Sequence, residues 1–364
     1  MTARLFGQEV RRSEDPHLLT GTALFVDDVQ LPGMLHVAFL RSPHAHARLG
    51  AVDASEACEA PGVAAVVTGE ELGDLCRPGP LLVAPPPIER LTFHRRTQPP
   101  LARGKVRHVG EPIAAVVAES RYAAEDAVAR IAVELEPLEP AVELETALEP
   151  GAPLVHEELE SNLAAHVIQT KGDYEAAAAA ADRIVRREFR YDRGAAAALE
   201  NRGVVAQWDP RAEHLTVWDT TQAPIPVRNA LAGVLGLAEF QVRVVAPFIG
   251  GGFGPKIMFY SEEILIPWIA MRLGRPVKWI EDRWENFFAT TQEREQLHAA
   301  ELALSGDGRI LGVRDEFLHD TGAYDPYGLT VPINTQCTLL GPYRVANYYS
   351  EFRVVFTNKT VVTP

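Results

Sequence analysis

Through residues 1–140, short apolar runs alternate with turn residues. Met34 to Leu40 (MLHVAFL) predicts a strand ended by Arg41-Ser42-Pro43, and Val63 to Thr68 predicts another. Ile113 to Ala118 (IAAVVA) is continuously apolar, the pattern of a strand covered on both faces. Ser120 is a helix cap before Tyr122 to Ala129, and Ile131 to Leu135 returns to strand. Strands and helices alternate without a strict βαβ rhythm, so the predicted class is α+β rather than a doubly wound sheet. Arg77 to Pro100 holds seven prolines and reads as a surface loop, because proline cannot donate to a ladder. The Pro- and Glu-rich stretch Leu135 to Pro153 reads as a linker or crossover between two domains.

Beyond it, Asp173 caps an Ala-rich helix from Tyr174 to about Ala181. Ile184 to Tyr191 alternates as a strand, and Val204 to Trp208 and Leu215 to Trp218 form a strand pair across Asp209-Pro210. Pro226 sits in the first turn of a helix running to Leu235 and ended by Gly236. Gln241 to Ala246 predicts a strand; Ser261 caps a helix to Leu273 that Gly274-Arg275-Pro276 closes; Val277 to Glu281 and Ile310 to Leu318 are further strands.

Composition narrows the class. The chain has 364 residues, 47% hydrophobic and 23% charged, enough apolar material for more than one core. The formal net charge of −14 argues against nonspecific binding to nucleic acid or an anionic membrane. Cys58, Cys76 and Cys337 are far apart, with no CxxC pair or Cys/His spacing for zinc or an iron–sulfur cluster, and an odd, low count fits a reducing cytoplasm. Met1 to Val10 has no long apolar run, and Ile264 to Leu273 is too short to span a membrane, so a cytoplasmic protein is expected.

The segment richest in chemistry is Val244 to Lys256, VVAPFIGGGFGPK. Gly250, Gly251 and Gly252 remove the Cβ atoms from one stretch of loop, so its backbone can take positive φ and come close to a ligand. It is no phosphate-binding GxxxxGK[ST] loop, because Pro255 precedes Lys256 and Ile257 follows it. It is no GxGxxG dinucleotide loop either, since Pro255 falls on the last glycine position. A tight turn between packed elements and a ligand loop both fit the spacing, which names no ligand.

GGGFG (Gly250 to Gly254), with TQAPIPVR (Thr221 to Arg228) and VKWIEDRWENFFATTQER (Val277 to Arg294), resembles the molybdenum-binding large subunits of the xanthine dehydrogenase, aldehyde oxidase and carbon monoxide dehydrogenase family. Asp15 to Leu49 and Lys105 to Ala127 resemble its a/b hammerhead domain, and LENRGVVAQWD (Leu199 to Asp209) its LEPRG-type segment. The resemblance implies a hammerhead domain over residues 1–140 and an incomplete first molybdenum-cofactor-binding domain over 141–364. It implies hydroxylation with oxygen from water at a molybdenum held by a pyranopterin dithiolene, in the cytosine dinucleotide form, with no metal ligand from the chain. It further implies 2Fe–2S clusters and FAD on an iron–sulfur subunit and an FAD subunit that carry electrons away.

Residue by residue, Gln222 matches the family glutamine that hydrogen-bonds the apical oxygen on the metal. Phe253 and Gly254 match the residues flanking the metal, and Gly251 and Gly252 permit the close approach. Ile257 stands near the substrate pocket where purine-oxidising members carry an acid, which favours a less polar aldehyde or an aromatic or heterocyclic substrate. His44 and His46 form an HxH pair read as strand-end histidines, Glu281, Asp282, Arg283 and Glu285 as a solvated or salt-bridged face, and Glu200 with Arg202 as possible cavity walls. The sequence contains no GxGE, the motif that carries the family's glutamate base, so no catalytic base is expected in this chain. Thr357 to Pro364 resembles a segment that the family continues into a pocket-building motif. The expectation is therefore part of a large subunit, inactive alone and completed by a complementary C-terminal large-subunit chain, or a noncatalytic remnant that docks other subunits.

Overall fold

A computed structural model describes residues 6–89 and 91–364; Arg90 and the first five residues, which hold half of the Met1 to Val10 stretch, lie outside the described residues. A seven-stranded sheet is built in the order Val242–Val245, His214–Asp219, Gly203–Asp209, Val277–Ile280, Leu35–Arg41, Pro112–Ala118, Val63–Thr68. It draws strands from both sides of residue 140, joined where Leu35 pairs in parallel with Val277. The helices Pro224–Leu235 and Ser261–Leu273 cover one face, burying Val227, Leu231, Leu265, Ile266 and Ile269 against Val204, Ala206, Leu215 and Val217. Pro112–Ala118 is buried at every residue, as its unbroken apolar run predicts. On the other side of that strand the helix Arg121–Val128, capped by the Ser120 side chain on the Ala123 N–H, contributes Ala124 and Ala127 to a core with Ala114, Val116 and Ala118.

A six-stranded sheet follows the order Thr92–Phe93, Leu163–Lys171, Asn347–Phe356, Ile310–Gly322, Glu295–Leu304, Arg183–Tyr191. Phe317, Phe352 and Phe356 centre its core. The fold class is α+β, with mixed parallel and antiparallel pairing in both large sheets. No helix among the described residues is long and apolar enough to cross a membrane.

Three differences from the sequence reading have physical causes. Residues 77–100 are not a plain surface loop: Leu82, Ile88, Leu91 and Phe93 pack on the second core, and Leu82 N–H donates to Pro326 C=O at 2.8 Å. Chain without regular structure can still bury its apolar side chains when tertiary partners take its backbone groups. The strand Glu295–Leu304 carries no legible alternation because Glu295, Gln296 and His298 are buried polar residues with partners. Finally, Pro224 rather than Pro226 opens the helix to Leu235, and the cap before Ser261 is Tyr260, whose N–H is taken by the Glu263 side chain.

Candidate functional site

The strand Val242–Val245 leads into the glycine loop, which a short 3-10 turn, Pro255–Ile257, ends. Gly251 and Gly254 take φ of +103° and +100°, values L-residues rarely adopt. Phe253 lies between them with φ 55°, a left-handed non-glycine residue, and its ring is 71% exposed. A Cβ built on Gly252 would lie 2.5 Å from Cδ of Gln222, so only glycine leaves room for that side chain. At Gly254 a Cβ would collide with the Pro364 carbonyl.

Gln222 follows the strand His214–Asp219 and precedes the helix at Pro224. Its backbone N–H donates to the Lys256 carbonyl at 2.8 Å. Its side-chain Oε1 accepts from the Gly254 N–H at 3.0 Å. Among the described residues the other amide atom, Nε2, has no hydrogen-bond partner, and Gln222 is exposed. One end of the amide is thus fixed by the loop and the other is a free donor on the open face. The structure therefore brings Gln222, Gly251, Gly252, Phe253 and Gly254 together. Ile257 closes the turn with its N–H on the Gly254 carbonyl, and its half-buried side chain packs on the core of Met258, Phe317 and Phe356.

Beneath the loop lies a layer of buried charge that the sequence reading passed over or left as a surface. Lys256 is 4% exposed; its Nζ donates to the Glu200 carbonyl at 2.9 Å and to Glu200 Oε2 at 3.1 Å. Burial lowers its pKa, partly offset by Glu200. Arg202 is buried, donating from Nη2 and Nε to Glu281 Oε1 at 2.6 and 3.0 Å and from Nη1 to Glu262 at 3.2 Å. Its guanidinium also lies 3.8 Å from the centre of the Tyr260 ring. Burial alone would raise the Glu262 carboxyl, but Arg202 and Arg41 outweigh it and hold it down at about 2. Of the acidic cluster, Glu281 is buried and salt-bridged, Glu285 binds Arg41 at 2.7 Å, and Asp282 caps the helix Arg283–Ala289. His46 of the HxH pair is buried, with Nδ1 2.8 Å from the Glu139 carbonyl.

Asp219 differs from these. It is buried, and among the described residues neither carboxylate oxygen has a hydrogen-bond partner. Burial pushes it up to about 7 against the pull of Arg202 and Lys256. Burial, with the Asp219 charge next, also raises Glu263 well above its ordinary value. The proton on Asp219 is held more tightly in the folded than in the unfolded chain, so the stability it contributes is complete at low pH. It declines by roughly 1.4 kcal/mol per pH unit from about pH 4 until the folded group itself ionises. Asp219→Asn is expected to gain stability relative to wild type as the pH of a denaturant titration rises from about 5 to about 8. Parallel pH profiles for the two proteins would contradict this reading.

The sequence matches a molybdopterin cofactor-binding domain over residues 155–364 and the a/b hammerhead domain of aldehyde oxidase and xanthine dehydrogenase over residues 20–139. It is 39% identical to the 6-hydroxypseudooxynicotine dehydrogenase complex subunit gamma of Paenarthrobacter nicotinovorans, across 98% of this chain and 44% of that one. Nicotinate dehydrogenase large molybdopterin subunit of Eubacterium barkeri is 29% identical, across 98% of this chain and 80% of the relative. Among solved structures, quinoline 2-oxidoreductase from Pseudomonas putida 86 superposes with a TM-score of 0.91 at 38% identity, covering 98% of this chain and 45% of that one. The chain thus spans less than half the length of the first of these relatives.

Proposed function

The chain belongs to the molybdopterin-binding large subunits of the xanthine dehydrogenase and carbon monoxide dehydrogenase family, and from that premise we propose that it builds one side of the cofactor site of a molybdenum hydroxylase. The observation that carries this reading is the pairing of Gln222 Oε1 with the Gly254 N–H over a Cβ-free Gly252, which leaves Nε2 as a donor with no partner among the described residues. Such a site fits a group that brings its own metal ligands: among the described residues no cluster of three His, Cys, Asp or Glu side chains is placed to hold an ion. When bound, the molybdenum cofactor supplies two-electron oxidation with oxygen from water. Gln222 would hold its amide proton toward that group, Gly251, Gly252 and Gly254 would let the backbone approach it, and the exposed Phe253 would flank it.

The rest of the site belongs to the half of the large subunit that this chain does not span. That half supplies the rest of the cofactor site and the catalytic base, for which this sequence has no GxGE motif. The cofactor takes the cytosine dinucleotide form, and a 2Fe–2S subunit and an FAD subunit carry electrons away in the cytoplasm. The sequence has no cluster-binding cysteine spacing of its own, and the Paenarthrobacter relative is named as a subunit of a complex, which supports separate partner subunits. The substrate is an aldehyde or an aromatic or heterocyclic ring of low polarity. Isoleucine at 257 offers no hydrogen bond to a purine, and similar proteins are named for quinoline and for a nicotine derivative.

The test is turnover of quinoline-type rings, aldehydes and purines by the purified complex in ¹⁸O-labelled water. The expected product is a hydroxylated heteroaromatic or a carboxylate carrying label from water. Label from dioxygen, or a preference for purines, would contradict the proposal.

A further inference from the structure

The glycine loop is gripped from below by one carboxylate oxygen. Glu200 Oε2 accepts the Gly250 N–H at 2.7 Å, where the loop begins, and the Lys256 ammonium at 3.1 Å, where it ends. The Glu200 backbone joins in: its N–H donates to the Gly250 carbonyl at 3.2 Å and its own carbonyl accepts from Lys256 Nζ at 2.9 Å. Lys256 passes the constraint on, because its carbonyl takes the Gln222 N–H at 2.8 Å and the Thr221 hydroxyl at 3.2 Å. The chain of contacts therefore runs from Glu200 through both ends of the loop to the residue whose amide meets Gly254. Sterics tighten it further: a Cβ on Gly250 would lie 2.5 Å from the Glu200 Cβ, so side chain and loop are in close contact.

We propose that Glu200 is the positioning residue of the cofactor loop, fixing the distance between Gly250 and Lys256 so that Gln222 and Gly254 stay paired. It would act through the loop rather than by touching metal or substrate. The inference rests on the reading of this loop as a molybdenum-cofactor cradle. Both donors converge on Oε2, whose negative charge also offsets the burial of the Lys256 ammonium, while Oε1 is buried without a partner among the described residues. Glutamine at 200 keeps that acceptor but gives up the charge facing Lys256; alanine removes both.

The experiment compares wild type, Glu200→Gln and Glu200→Ala in the purified complex, by amide hydrogen exchange of residues 250–257 and by molybdenum content per chain. In Glu200→Ala the loop amides are expected to exchange roughly tenfold faster while strands remote from the loop are unchanged. Molybdenum content is expected to fall about tenfold or more. Glu200→Gln is expected to fall between wild type and alanine in both. A loop that exchanges as in wild type, faster exchange spread over the whole chain, a loosened loop with full molybdenum content, or a glutamine variant no better than alanine would overturn the positioning role. If the wild-type complex itself holds no molybdenum, the cradle reading fails, and the exchange data alone decide whether Glu200 orders the loop.

Discussion

Replacing Arg202 with methionine is expected to lower the free energy of unfolding by about 3–5 kcal/mol, measured by denaturant titration against wild type. Methionine fills much of the same volume, so the loss is not chiefly one of packing. It comes from stranding charge: Glu281 and Glu262 are both buried and keep their carboxylates when the guanidinium goes. Glu281 retains Asn286 Nδ2 at 2.9 Å and Thr290 Oγ1 at 2.7 Å, which are neutral donors. Glu262 retains Arg41 at 2.6 Å. The larger share of the cost therefore sits on Glu281, and adding Glu281→Gln to Arg202→Met is expected to recover part of it. A single-variant loss below about 1 kcal/mol would mean that the layer is more solvated than its burial shows.

Gly252→Ala is expected to separate folding from cofactor binding. The added Cβ meets Cδ, Cγ and Oε1 of Gln222 at 2.5–2.6 Å. That neighbour is a flexible, exposed side chain, so it swings away at small cost to the fold. Moving it breaks the bond to the Gly254 N–H and removes Nε2 from its place. Melting temperature is expected to move little, while bound molybdenum falls about tenfold or more, in line with the loss of a residue that orients a metal group. Full molybdenum retention in a folded Gly252→Ala complex would show that Gln222 does not need its observed position.

Much of the fold was legible because apolar periodicity is written locally. Pro112–Ala118, the strand pair Gly203–Asp209 and His214–Asp219, and the capped helices at Ser120 and Asp173 all follow from neighbouring residues. What stayed hidden depends on residues distant in sequence. The parallel pairing of Leu35 with Val277 carries the first large sheet across the expected boundary near residue 140, and no local pattern announces it. The strand Glu295–Leu304 was masked because Arg193 and Lys359 make a buried glutamate tolerable at its start.

The site divides in the same way. Glycines 251, 252 and 254, Phe253 and Gln222 were recognisable as a motif. The geometry adds why Gly252 must be glycine: the Gln222 side chain occupies the space of its Cβ. The spacing around Lys256 excludes a phosphate loop, and its charge beside a proline and an isoleucine is the one local hint of a buried partner. Asp219 gave no hint, since an acid at a strand end is ordinarily solvated; only the packing of Lys256, Arg202 and Glu263 around it makes it exceptional.

The central claim is that this chain forms one wall of a molybdenum cofactor site. Its most direct test is the molybdenum and pterin content of the purified native complex, by elemental analysis and by fluorescence of the oxidised pterin. One molybdenum and one pterin per copy of this chain, both lost in Gly252→Ala, is the expected result. A complex that contains neither, purified from cells in which other molybdenum enzymes are loaded, would contradict the claim.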